Sequence, residues 1–354
     1  MRGRKEDQEQ LFSYVGLETY VPDNHPLRRV RKIVDAMLAE MDEELEQLYA
    51  DVGRPSIPPE QLLRAVVLQM LYTIRSERML VEQMQYNLLF KWFVGLQIEE
   101  KVWNATTFTK NRDRLLNEQV ARLFFDSTVK RAKKKRLLSD EHFTVDGTLI
   151  ESYASLKSFR PKDKSDEEPE NFHGKKRKND THESVTDPEA KLYRKGNGKE
   201  ARLYYIAHVL SENRNGLVCD VELSPATGTA EVDRAGVMLA RAAQRSRKHR
   251  TCGADKGYDT RQFVRSAREH GFTPHVAAKK SGSAVDLRTT RHPGYLVSQR
   301  KRKRVEEIFG WGKTVGPLRK MKHRGITLVR TVVTMTAATY NILRIANLET
   351  IHAQ

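Results

Sequence analysis

Three short segments carry carboxylates in places that suit chemistry better than solubility. His142 to Glu151, HFTVDGTLIE, sets strand-forming Phe143, Val145 and Leu149 around Asp146, with Gly147 directly after the acid. An acid ending an apolar run, followed by a residue that tolerates any backbone geometry, is a side chain presented at the end of a short buried strand. Further on, Thr251-Cys252-Gly253-Ala254-Asp255-Lys256-Gly257-Tyr258-Asp259 repeats the design, with small apolar residues leading to Asp255 and a glycine turn. The third segment, Arg302 to Lys313, reads as a helix with Val305, Ile308 and Phe309 at i, i+3 and i+4 on its buried face and Glu306 beside it among cations. Two strand-end aspartates and a helical glutamate are hard oxygen donors. They suit a pair of Mg2+ ions about 3.5–4 Å apart that hold the attacking and leaving oxygens of an in-line phosphoryl displacement. Carboxylates beside apolar surface are costly unless something cationic meets them.

The chain as a whole favours an anionic partner. Its 354 residues allow two or three domains, and 63 Lys and Arg against 46 Asp and Glu leave a formal charge of +17. A surplus of that size attracts nucleic acid without any sequence match, because each neutralised phosphate releases counterions. Cys219 and Cys252 are the only cysteines, which excludes a disulfide framework and a cysteine-based zinc site and fits a reducing cytoplasm. The N-terminus, MRGRKEDQEQ, has no apolar stretch behind it, and apolar runs such as Ala65 to Leu71 fall short of a membrane span, so a soluble protein with no membrane partner is expected. No repeat at solenoid periods is present.

The elements that must position the acids fall into two blocks. From Pro26, apolar residues recur at helical spacing through Leu38. Pro58-Pro59 then separates this helix from another over Gln61 to Ile74, and further helices are expected at Leu80 to Val94 and Phe108 to Leu116. The last carries Lys110, Arg112 and Arg114 and has Thr106 or Thr107 available as a cap. It fits a DNA-contacting helix-turn-helix unit and equally a bundle helix with solvated cations. Trp92 and Trp103 read as core anchors, and the basic run Lys130 to Arg136 as a phosphate grip or a solvated helix end. Residues 1–138 are thus an all-helical N-terminal domain, and 139–349 a second domain.

In the second block the Asp146 strand is followed by a charged stretch, 160–199, too poor in apolar residues to order alone, and expected as a mobile loop that orders on DNA. Strands follow at Ala201 to Leu210 and Leu217 to Leu223. Then come a helix over Glu231 to Arg245, the Asp255 strand, a helix near Thr260 to His270, a strand at Thr273 to Ala278, a loop over Lys279 to Pro293, the Glu306 helix, and a closing apolar helix over Ile326 to Leu348. Hairpin strands first and alternating units later imply α/β architecture, a mixed sheet with helices on its faces. Lys256 and Tyr258, in the turn after Asp255, either touch DNA or pack the turn. His142 and His208 read as satisfied histidines rather than ligands.

That order of elements, with acids in those three places, resembles the ribonuclease-H-like fold of DDE transposases. Thr144-Val145-Asp146-Gly147-Thr148, Ala254-Asp255-Lys256-Gly257-Tyr258-Asp259 and Arg302 to Lys313 resemble the signature blocks of bacterial insertion-sequence transposases in the families numbered four and five. Those families end on a Tyr, Arg, Glu, Lys series. Arg302, Glu306 and Lys313 fit it, while Gln299 stands at the Tyr position. The likeness runs from Pro26 to about Ile345 and includes Asn24-His25-Pro26-Leu27. Glu307 adjoins Glu306, and spacing from Arg302 and to Lys313 favours Glu306 as the third acid.

The resemblance implies metal-dependent cleavage and strand transfer at the ends of a mobile element. Asp146, Asp255 and Glu306 would be catalytic and metal-holding, with Mg2+ or Mn2+ as cofactor. Arg302 and Lys313 would meet phosphates, or instead pair with Glu306 within the helix. The partners implied are double-stranded DNA, at element ends and target, and a second copy in a homodimer. The place of action is the cytoplasm, on the nucleoid. A DNA-binding protein of the same fold without catalysis, and a nuclease that cuts without joining, stay as alternatives.

Overall fold

The computed structural model describes residues 16–49, 56–162, 177–196, 198–245 and 248–353. The chain opens on helices α1 (Leu17–Tyr20), α2 (Pro26–Glu40), α3 (Asp42–Glu46), α4 (Pro59–Leu71), α5 (Glu77–Tyr86), α6 (Leu88–Val94), α7 (Thr106–Leu115) and α8 (Glu118–Lys134). The start of α2 follows from its His-Pro pair. Pro26 stands in the first turn and the His25 ring accepts from the Leu27 N–H at 3.2 Å. Its residues Leu27, Val30, Ile33, Val34, Met37 and Leu38 are buried, as their spacing predicts. The single helix expected over Leu80 to Val94 is two, because Asn87 turns its side chain back to accept from Leu89 N (3.0 Å) and Phe90 N (3.3 Å) and so starts α6 afresh. The start of α7 is likewise held by Asn104, which accepts from Thr106 N at 2.9 Å, and not by a threonine.

The second half supplies β1 (His142–Glu151), β2 (Phe159–Pro161), β3 (His182–Ser184), β4 (Lys191–Arg194), β5 (Ala201–Glu212), β6 (Val218–Pro225), α9 (Ala230–Gln244), β7 (Arg250–Ala254), α10 (Arg261–Glu269), β8 (Phe272–Val276), α11 (Leu287–Arg291), α12 (Pro293–Lys301), α13 (Arg304–Thr314) and α14 (Ile326–Ala353). In the main sheet β6 and β4 share one edge of β5, and β5, β1, β7 and β8 follow in that order. The β1–β5 and β5–β6 pairs are antiparallel, and β1–β7 and β7–β8 parallel. A hairpin meander continued by two parallel strands through helical crossovers is the ribonuclease-H-like mixed sheet that the sequence implies.

Two expectations change. The stretch 160–199 holds structure where it is described, while 163–176 and 197 lie outside the described residues. β2 pairs with β3, and β4 extends the main sheet beside β5. The segment is held by polar groups: buried Asp187 accepts from Ser152 Oγ (2.7 Å), Tyr205 OH (2.5 Å) and Gly325 N (3.2 Å), and the hydroxyls of Ser158 and Ser184 pair at 2.7 Å. A satisfied buried network can order a stretch whose apolar content could not. The loop expected at Lys279 to Pro293 contains α11, capped by Asp286, which accepts from Thr289 N at 2.8 Å.

The helical block shares a core with one side of the sheet, and a separate core lies between the sheet and α9 and α10. α14 packs on α2, α4 and α8 and also on β6, and Asn341 ties the parts by donating to Thr128 Oγ1 (3.1 Å) and Val218 O (2.8 Å). The boundary expected at 138/139 is therefore crossed by continuous packing. By length and composition Ile326–Ile351 is long and apolar enough to cross a membrane, unlike the short runs noted in the sequence, but Val329, Val333, Ala338, Ile342 and Ile345 are buried within the protein. Cys219 and Cys252 are buried free thiols.

Candidate active site

The register of β1 on β7 brings the two aspartates to one level. Thr144 pairs with Gly253, so Asp146 and Asp255 are both two residues beyond the last parallel pair, on strands about 5 Å apart. β7 ends at Ala254, whereas β1 continues to Glu151 paired with β5, its other side meeting Lys320 only at Glu151 among the described residues, which leaves Asp146 at an open step in the sheet. Asp255 is extended, and its Oδ1 accepts from Gly257 N at 2.7 Å, so the glycine turn foreseen after it holds the carboxylate in place. Asp146 accepts from Gly147 N at 2.8 Å.

The third element lies along the same face of β1. At one end, a side chain on Gly253 would come within 3.3 Å of Arg302 Cβ and 3.2 Å of Thr144 Oγ1. At the other, Lys313 Nζ donates to Thr148 Oγ1 at 2.6 Å. Thr144, Asp146 and Thr148 alternate onto one side of the strand. The face of the segment that carries Arg302, Glu306 and Lys313 therefore runs past Asp146, with Glu306 between the two anchors. Gln299, at the position where a Tyr is expected, accepts from Arg302 Nε (3.1 Å) and donates to His275 O (2.5 Å), fixing the arginine by its own route. Glu306 is exposed and its side chain makes no hydrogen bond or ion pair among the described residues. Its neighbour Glu307 faces elsewhere, since its charge is felt at the Tyr340 hydroxyl of α14.

A further carboxylate stands here that the sequence reading did not single out. Glu231, in the first turn of α9, comes so close to Gly147 that a Cβ there would lie 2.7 Å from its Oε1 and 3.2 Å from Ile206 Cγ2. Gly147 is thus needed for space and not for backbone freedom. Acids are ordinary in a first helical turn, where they face the positive end of the helix dipole, so the sequence gives no signal of this contact. Burial holds Glu231 above the usual carboxylate range, and the charge of Asp255 adds to the rise. Asp146 is pushed up to about 7, chiefly by burial and further by Asp255 and Glu231, against the Gly147 N–H and the charge of Arg302.

These groups suit a hard divalent cation chemically. They are oxygen donors, partly desolvated and of like charge, with Arg302 bringing positive charge to Asp146. They are not drawn to liganding distance: among the described residues no three acid, His or Cys side chains stand close enough to hold one ion.

The remaining expected contacts divide. Lys256 is exposed beside Asp255 and free to meet a phosphate, and Lys110 is exposed on α7, away from the acids. Tyr258 does not reach the surface. It is 1 % exposed and packs its ring edge on Phe263, so the expected DNA contact gives way to the packing role. Arg114 is engaged within the protein, over the Tyr49 ring and donating to Ser56 Oγ (3.1 Å) and Asn111 Oδ1 (2.5 Å). The side chain of Arg112 lies outside the described residues. His208 is a buried core histidine paired with Ser224 Oγ at 2.8 Å, and burial lowers it to about 3. Trp92 is a core anchor whose indole donates to Glu18 at 2.6 Å.

Comparison with known proteins gives the family of the chain. A transposase domain (DUF772) model matches residues 15–114, and a transposase DDE domain model matches residues 137–342. No curated protein matches the sequence. Among solved structures, a piggyBac transposase synaptic complex with hairpin DNA is 9% identical, with a TM-score of 0.45, covering 92% of this chain and 76% of its own. A pre-cleavage Mos1 transpososome is 10% identical at a TM-score of 0.21, covering 86% and 82%. At such scores these likenesses add nothing to the family match. The DDE model spans more than half of the chain, including the sheet, Asp146, Asp255 and α13, and the protein belongs to the transposase DDE domain family.

Proposed function

We propose that this transposase cleaves and joins DNA at the ends of an insertion sequence, with Asp146, Asp255 and Glu306 as its catalytic carboxylates. The observation that carries this reading is the register of β1 on β7, which sets the two aspartates level at an open step of the sheet, and the bond of Lys313 to Thr148, which packs the helix of Glu306 against β1, supports the third acid. Asp146 and Asp255 would hold Mg2+, or Mn2+ in its place, with Glu306 closing from the helix. When bound, the ions supply charge neutralisation and activation of oxygen nucleophiles at neutral pH. The rest is done by the chain itself. Arg302, fixed by Gln299, and Lys256 are set to meet phosphates flanking the scissile bond, and Lys313 holds the helix against β1 while placing its own charge beside the site. No protein nucleophile is required, because water and then a 3′-hydroxyl serve. The DNA would be double-stranded and bound by a homodimer that holds two ends together, in the cytoplasm on the nucleoid. The +17 charge supports that partner.

The test is a cleavage and joining assay with purified protein and a plasmid carrying the DNA that flanks the reading frame, in Mg2+ or Mn2+. Asp146→Asn and Asp255→Asn should lose cleavage and keep DNA binding. Cleavage without joining by the wild type would make it a nuclease, and binding with no metal-dependent cleavage would leave the non-catalytic reading.

A further inference from the structure

Glu231 has an environment that a structural acid would not be given. It is half-buried, it makes no hydrogen bond or ion pair among the described residues, and it presses into the space kept open by the missing side chain of Gly147. Its charge is felt at Asp146, and the charge of Asp255 is felt at Glu231. The helix dipole accounts for an acid in the first turn of α9, but not for its burial beside two other acids. The nearby acid of the same turn shows the ordinary alternative: Asp233 accepts from Gln262 Nε2 at 2.8 Å on the surface.

A second observation points the same way. The Tyr258 hydroxyl is buried and unpartnered, and the charges of Glu231, Asp146 and Asp255 all converge on it. A buried phenol without a partner is costly, and this one is a donor left free where the charges of all three acids are felt. α13 reaches this space from the Asp146 face of β1, and α9 reaches it at Gly147, from the opposite side of the strand.

We propose that Glu231 is a further cation ligand of the DDE site, closing from α9 on the divalent ion held by Asp146 and Asp255, while Glu306 closes from α13. The assignment rests on the Asp146–Asp255 reading above. Glu231 meets the ion directly or through one coordinated water, and the Tyr258 hydroxyl donates to the oxygen shell around it. Gly147 is then the residue that lets α9 contribute, and the site has acids on both sides of β1.

The experiment is Mn2+ binding to the full-length, DNA-free protein by calorimetry and electron paramagnetic resonance, for the wild type, Asp255→Asn, Glu231→Gln, Glu231→Asp and Glu306→Gln, each also melted in EDTA. Removing one charged ligand should weaken Mn2+ by at least about tenfold in Glu231→Gln and less in Glu231→Asp. Glu231→Gln should melt in EDTA no lower than the wild type, because a repulsion is relieved. Should it fail to fold, Glu231→Asp reads the same affinity. Affinity of both Glu231 variants within about twofold of the wild type, with Asp255→Asn strongly weakened, would overturn Glu231 and leave the aspartate pair standing. Binding that survives in Asp255→Asn, or no binding by the wild type, would overturn the aspartate pair and Glu231 with it. Glu306→Gln ranks the two sides of the site: a smaller loss than in Glu231→Gln supports the proposal, and a loss confined to Glu306→Gln overturns it.

Discussion

Asp220 and Asp146 are both acids on strands of one sheet, and their surroundings could hardly differ more. Asp220, on β6, is 0 % exposed and fully met: Oδ1 accepts from Arg122 Nη1 (2.8 Å) and Val221 N (2.9 Å), and Oδ2 from Arg241 Nε (2.7 Å). Each arginine is shared with a second acid, Arg122 with Asp126 at 2.9 Å and Arg241 with Glu222 at 2.6 Å. Asp146 has one backbone N–H and the more distant charge of Arg302, with Glu231 and Asp255 pushing against it. Where this chain needs a buried carboxylate for structure it supplies side-chain donors to bond it, guanidinium groups at Asp220 and hydroxyls at Asp187. At the step in the sheet it withholds them, and the positive charge has to come from outside. That contrast locates the site more firmly than the presence of acids does.

Substitutions can break the contrast or sharpen it. The largest effect is expected from Asp146→Asn: losing several kcal/mol of metal assistance should lower DNA cleavage by at least about 10^4-fold. In chelator the same variant should melt no lower than the wild type, and a clear loss of stability would show that Asp146 is a structural acid like Asp220. Asp220→Asn should do the reverse. Leaving two arginines short of a buried charge should cost about 3–5 kcal/mol in urea unfolding, with the residual folded protein still cleaving. Gly147→Ala is expected to cost about 1–3 kcal/mol by crowding Glu231 and Ile206, and Glu231→Ala in the same chain should return part of it. Additive losses would mean that the two residues do not touch. Smallest is Lys313→Met, which removes the bond to Thr148 and a charge beside the acids. Cleavage should fall by about tenfold, near 1.4 kcal/mol, with unfolding little changed.

How much of this was written in the sequence depends on the range of each signal. The pattern of a short apolar run, an acid and a glycine reads Asp255 at a strand end correctly, while Asp146 stands in the middle of β1, which runs on to Glu151 and not to the end expected; α13 was legible because Val305 and Ile308 recur at helical spacing. Both are buried as expected. The level between the aspartates is a matter of strand pairing, which no local pattern carries. Glu231 was missed because an acid in a first helical turn has an ordinary explanation, and its closeness to Gly147 exists only once α9 crosses the sheet. Tyr258 was left open between DNA and packing, and its burial is settled by Phe263 on α10. The polar order around Asp187 was invisible to a reading that looks for apolar surface, since Ser152, Tyr205 and Gly325 come from three distant parts of the chain.

The place of α14 in the fold bears on how the protein is made. This helix bonds across very long stretches of chain, from Arg29 to Thr350 and from Thr128 to Asn341, and it lies between the early helices and β6. While the ribosome has yet to release Ile326–Ala353, the faces of α2, α4, α8 and β6 that pack on α14 stay uncovered. Contacts so distant in sequence are slow to form, because the loop must be ordered before they stabilise anything. A nascent chain is therefore a helical block and a sheet awaiting their shared partner, and the join between them closes only once α14 has been made.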